Sequence, residues 1–124
     1  MMSLAMALQT IAAFNLVCAG TLRTGPVGLA LPESQGEAFD IVFHVDLTAR
    51  SWCTDACESR EPIASVGDGY IVLRDRSAAS GSHVITLFPS AGRFTDTLIE
   101  GDQATLRSGR CLPSGFDNVR GRVA

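Results

Sequence analysis

Between Phe39 and Leu47 the chain alternates: Phe39, Ile41, Phe43, Val45 and Leu47 fall on one side, and Asp40, His44 and Asp46 on the other, with only Val42 out of pattern. A period of two is what a strand with one buried and one wet face requires, so this stretch predicts a central strand. The pattern breaks at Thr48–Ser51 and is followed by Trp52 and a Cys53-x-x-x-Cys57 pair. A reversal over Asp46–Ser51 should expose Arg50 and lay Trp52 and Cys53 back beside the strand. Phe14–Leu22 alternates as well, with Phe14, Leu16, Cys18 and Leu22 on one face, and predicts the first strand. Between the two, Arg23–Glu37 carries Gly25, Pro26, Gly28, Pro32 and Gly36, which interrupt helix and strand alike and predict a long loop.

Downstream the punctuation becomes regular. Gly67-Asp68-Gly69 is a hairpin signal, and Tyr70–Leu73 leaves it as the next strand. Arg74–Gly81 reads as a polar connection. His83–Phe88 and Arg93–Glu100 flank a turn at Pro89–Gly92, and Gly101-Asp102 leads into Gln103–Cys111. From Leu112 onward no periodicity remains, and irregular structure is expected. In Phe94–Ile99 the apolar residues fall on both parities, which predicts either a bulge or a strand buried on both sides. No helical stripe follows residue 13. Short strands at even spacing predict a single all-β domain over residues 14–124, an antiparallel meander sandwich or small barrel of about 6–8 strands.

Residues 1–13 contain no charge and are rich in Met, Leu and Ala. They fall short of the ~20 residues that span a bilayer, so no transmembrane span is expected. The segment reads as the apolar part of a secretory signal peptide, with Ala12 and Ala13 as the cleavage region. The competing reading is a short helix, because Leu4, Leu8 and Ile11 share a helical face. Hydrophobic residues make up 46% and charged ones 19%, a globular balance. The net charge of −3 gives a surface that repels phosphate backbones, so nucleic acid is not an expected partner. All ten cationic residues are arginines. Without a lysine there is no Schiff base, no phosphate-loop lysine and no pyridoxal phosphate attachment.

Four cysteines, Cys18, Cys53, Cys57 and Cys111, are the arithmetic of a disulfide framework in an oxidising compartment. Of the three possible pairings, Cys53–Cys57 with Cys18–Cys111 fits best, a local clip plus a link from the first strand to the last. A zinc site of four thiolates is the rival, but only one short knuckle is present where such sites use two.

Candidate chemistry is sparse. His44 and Asp46 share the outward face of the central strand, about 7 Å apart along it, and a third partner from a neighbouring strand would complete a site. The plainer account is an exposed pair on a solvated face. His83 begins a strand and reads as a rim residue. There is no Gly-x-Ser-x-Gly elbow, no His-Glu-x-x-His, no calcium loop and no phosphate-cradling glycine loop, so neither a catalytic residue nor a cofactor or metal is indicated. Three residues, not two, separate Cys53 from Cys57, so the thioredoxin-type motif does not match. Trp52 either packs over a disulfide or the core or, if exposed with Arg50, anchors a partner protein.

The pattern Phe14-Asn15-Leu16-Val17-Cys18-x-Gly20, Asp46-Leu47-x4-Trp52-Cys53-x3-Cys57 and Gly109-x-Cys111-x4-Phe116 resembles a group of small bacterial proteins with a signal-like N-terminus. The resemblance implies a periplasmic or secreted location and brings no activity or ligand with it. Gly101–Thr105 followed by Cys111 is more distantly similar to small periplasmic lysozyme inhibitors, whose specific loop motif is missing here. The leading expectation is an exported binding module for a protein or envelope component. The alternatives are a lipocalin-like carrier with a cavity lined by Phe39, Phe43 and Phe88, and a hydrolase-like enzyme using His44 and Asp46.

Overall fold

The computed structural model describes residues 12–29 and 36–114. Within them the alternating stretches become nine strands: β1 (Ala13–Pro26), β2 (Glu37–Asp46), β3 (Ser51–Thr54), β4 (Glu61–Pro62), β5 (Ser65–Val66), β6 (Ile71–Ala78), β7 (Gly81–Phe88), β8 (Arg93–Glu100) and β9 (Gln103–Ser114). There is no helix among the described residues. The strands form one sheet in the order β4-β3-β2-β1-β9-β8-β7-β6-β5. All pairings are antiparallel.

This is a meander with one non-sequential joint, where β9 returns to lie beside β1. Several of the local pairings follow from short turns. Gly67 N–H donates to Tyr70 O at 2.9 Å and Gly92 N–H to Pro89 O at 3.2 Å, closing two of the predicted reversals. The joint itself lets the sheet curl into a half-barrel with its apolar face inside. The end strands β4 and β5 are separated in sequence only by Ile63 and Ala64. This segment pairs first with β3 and then with β6, and Ile63 N–H reaches Arg50 O and Ala64 N–H reaches Val72 O, each at 2.9 Å. It ties the two sides of the sheet together at one end of the half-barrel.

The inner face is fixed by the pleat. Ile41, Phe43 and Val45 of β2 point in with Leu16 and Cys18 of β1, Ile85 and Leu87 of β7, and Phe94 of β8, and all are buried. Cys18 and Cys111 are direct partners in the β1–β9 register and form one disulfide; Cys53–Cys57 forms the other. No cysteine is free, so the four-thiolate zinc alternative is set aside. In the next row Phe39, Gly20, Gly109 and Phe94 lie side by side across β2, β1, β9 and β8.

Several expectations are corrected by pairing that local pattern does not reveal. β1 runs on to Pro26, because β9 supplies partners as far as Gln103, so the loop after it starts later than Arg23. β9 continues to Ser114 for the same reason. Arg74–Ala78, expected as a polar connection, is the second half of β6: β7 pairs with it throughout, and Arg74 and Arg76 meet Glu61, although Asp75–Ala78 remain exposed. The two parities of Phe94–Ile99 arise without a bulge. Asp96 occupies an inward position between Phe94 and Leu98, and the irregularity falls in β6, between Val72 and Arg74. Most of the expected signal peptide, like Phe116 of the C-terminal pattern, lies outside the described residues. Ala13 already pairs with Asp46, and Leu47 N–H donates to Ala12 O at 2.6 Å.

Candidate binding site on the concave face

Charged side chains that turn onto the inner face of a curled sheet lose part of their water and gain by finding one another. Here they do so across five strands. Glu61, at the start of β4, takes two hydrogen bonds from Arg74 of β6, one of them Nε to Oε2 at 2.8 Å. Arg76 Nη2 adds a third to Glu61 Oε2 at 3.0 Å. Arg74 Nη1 lies 3.1 Å from His83 Nδ1 of β7, and His83 Nε2 lies 2.8 Å from Asp96 Oδ1 of β8. Arg107 of β9 closes the row, with Nε and Nη2 at 3.0 and 2.6 Å from Asp96 Oδ2.

The donors fix the protonation pattern. A guanidinium can only donate, so His83 Nδ1 must accept; Nε2 then carries the proton and donates to Asp96. Both its nitrogens are thereby occupied, and three guanidiniums meet two carboxylates along the row. The Glu61 carboxyl is held below its usual range, chiefly by hydrogen bonds from Arg74, against the upward push of burial. The Arg74 guanidinium is stabilised in turn by Glu61. Asp96, with a side chain only 4% exposed, is the deepest charge in the row, whereas Arg76 is 65% exposed and its outer surface is open.

Aromatic rings wall in this row. Arg74 lies over the Trp52 ring at 5.4 Å and Arg107 over the Phe39 ring at 5.2 Å. Beside it, at the end of the sheet carrying the β6–β7 and β8–β9 hairpins, is a depression of about 820 Å³ bounded by Arg76, Gly81, His83 and Leu98. Two strand edges are also open at this end. Among the described residues, Glu37–Ile41 of β2 is paired on one side only, by β1, and Arg74–Ala78 of β6 on one side only, by β7.

The residues singled out from sequence lie elsewhere. His44 is on the outward face, its Nδ1 at 2.7 Å from Asn15 Oδ1 and its Nε2 at 3.0 Å from Asp55 O, so it fastens the Cys53–Cys57 loop to the sheet. Asp46 Oδ1 accepts from Ala49 N–H at 3.0 Å and caps the β2–β3 turn. Both border a depression of about 230 Å³ but make no direct bond to each other among these contacts. Arg50 is exposed at φ 55° in that turn. Trp52 is 4% exposed and packs in the core, so the two form no surface anchor. Phe39 and Phe43 are spent on packing against Phe94, and Phe88 lies on the opposite face under Arg93, so the three rings line no common cavity. His83 borders the open depression at this end and also stands in the middle of the charged row. The one sequence signal for that row was Asp96, a charged residue inside the expected strand Arg93–Glu100. Comparison with protein-family models, with curated proteins and with solved structures finds no match.

Proposed function

We propose that this chain is a recognition module that captures an extended segment of a partner protein along the free edge of β6. The observation that carries this reading is the five-residue edge Arg74–Ala78, unpaired among the described residues, beside inward-facing arginines already ordered by Glu61, His83 and Asp96. An extended peptide added to such an edge gains main-chain hydrogen bonds, while alternate side chains read the two faces. Buried ionisable clusters cost stability, and their placement at a concave mouth favours a binding role.

The edge also states what it would accept. Arg74 and Arg76 point inward and Asp75 and Ser77 outward, while across the opening Asp40 of β2 is outward and Phe39 and Ile41 are inward. The complementary strand carries acidic or apolar residues on its inward positions and basic residues on its outward ones. Charges on a free edge also deter indiscriminate pairing, which leaves the complementary strand as the one accommodated. The two disulfides and the similarity noted above favour an oxidising, extracytoplasmic setting for this encounter.

The test is an NMR titration of the isotope-labelled protein with a capped octapeptide of alternating arginine and glutamate. Shifts and slowed amide exchange confined to Arg74–Ala78 and the neighbouring inner face are expected, and Arg76→Glu should abolish them. Shifts scattered over the outer face, or binding unchanged in Arg76→Glu, would reject strand addition at this edge.

A further inference from the structure

The two disulfides occupy opposite kinds of environment. Cys18 and Cys111 are 1% and 3% exposed, directly opposed in the sheet, and packed into the core. Cys53 and Cys57 close a short surface loop in which Cys53 is buried and Cys57 is half-exposed. Depressions of about 330 and 230 Å³ flank that loop, each bordered by Cys57. Arg60 Nη1 lies 3.2 Å from Cys53 Sγ and 3.4 Å from Cys57 Sγ. Its guanidinium is fixed there by Nε to Ser51 Oγ at 2.8 Å and Nη2 to Ser51 O at 3.2 Å.

From this contrast we propose that Cys53–Cys57 is an exchangeable disulfide that takes up two electrons from a dithiol, while Cys18–Cys111 is permanent. A thiolate of the dithiol attacks Sγ of Cys57, the accessible sulfur. The Cys53–Cys57 bond breaks, a mixed disulfide forms on Cys57, and the electron pair leaves on Sγ of Cys53. The second thiolate of the dithiol then attacks its own sulfur in the mixed disulfide and releases Cys57. The dithiol ends as a disulfide and the two cysteines end reduced, the dithiol's two protons going to their sulfurs or, where a thiolate persists, to solvent.

The rate of such exchange rises as the leaving thiolate is stabilised, and a guanidinium fixed beside the leaving sulfur does that. Of the two carboxylates in the loop, Asp55 Oδ1 is engaged by Val42 N–H at 3.1 Å, while Glu58 is exposed to solvent. The closed loop also holds two non-glycine residues in the left-handed region, Asp55 at φ 50° and Cys57 at φ 60°. Opening the ring lets Cys57 leave that costly conformation. The loop stays attached meanwhile, because His44 Nε2 and Val42 N–H still hold Asp55.

The experiment treats the oxidised, folded full chain with increasing dithiothreitol, traps thiols by alkylation and locates them by peptide mass. Labelling of Cys53 and Cys57 alone is expected, with Cys18–Cys111 intact until denaturant is added. In Arg60→Gln the opening should slow roughly three- to tenfold, and Arg60→Lys should recover part of the loss. Circular dichroism on each variant separates this from misfolding, and Ser51→Ala gives a second reading by loosening the guanidinium while leaving its charge. Simultaneous labelling of all four cysteines, labelling of 53 and 57 only on unfolding, or an unchanged rate in folded Arg60→Gln and Ser51→Ala would each overturn the proposal.

Discussion

Phe39 and Phe94 meet edge to face, ring centroids 5.9 Å apart, although two strands lie between those that carry them. They reach each other because the two intervening inward positions are Gly20 and Gly109, paired directly across β1 and β9. The rings cover the glycines, and the glycines let the backbones approach closely. A Cβ built on Gly20 would lie 1.9 Å from Ser108 O, and one on Gly109 would lie 2.2 Å from Ala19 O.

Gly20→Ala and Gly109→Ala should therefore each push β1 away from β9 at the one non-sequential joint of the sheet. A loss of about 1–3 kcal/mol or more is expected, in the range of core overpacking. Urea denaturation checks this. Gly28→Ala is the control: it has a positive φ of 93° but nothing within 4 Å, so its cost should be conformational only.

Removing Asp96 should cost more than removing any other member of the charged row. It is the shared acceptor of His83 and Arg107 and is almost fully buried. Asp96→Ala leaves a guanidinium uncompensated and should destabilise the fold by roughly 3–5 kcal/mol. Asp96→Asn should cost less, since the amide oxygen can still accept. Paired denaturation curves at neutral pH decide between them.

The pH dependence follows from Glu61. Its carboxyl is depressed in the folded chain, so the stability it contributes is fully present above the ordinary carboxylate range and is lost as pH falls through the depressed folded value. The stability difference between wild type and Glu61→Gln should be constant from neutrality to about pH 5.5 and shrink on further acidification. A difference that grew as pH fell would contradict the assigned hydrogen bonds.

Cys18–Cys111 joins residues 93 apart in sequence, and Cys53–Cys57 residues four apart. By the chain-entropy model the first contributes about 4–5 kcal/mol and the second about 2. Replacing Cys18 and Cys111 together by alanine should lower the urea midpoint roughly twice as far as replacing Cys53 and Cys57.

Much of this architecture can be read from residue order alone. The alternation in Phe14–Leu22 and Phe39–Leu47, and the turns at Gly67–Gly69, Pro89–Gly92 and Gly101-Asp102, are local properties. Each fixes which side chains share a face and where the chain reverses. The cysteine pairing was expected from number and spacing, but that the first and last strands lie side by side is a tertiary fact. The candidate site was not legible. Glu61, Arg74, His83, Asp96 and Arg107 stand on five different strands, and nothing local to any of them says that it faces inward. Arg74–Ala78 is strand rather than connection because β7 pairs with it, a non-local fact that its exposed polar residues do not announce. Only the curl of the sheet, set by β9 returning to β1, brings these charges within hydrogen-bond reach. Asp96, almost fully buried, then has to be paired by protein, because water can no longer serve as its partner.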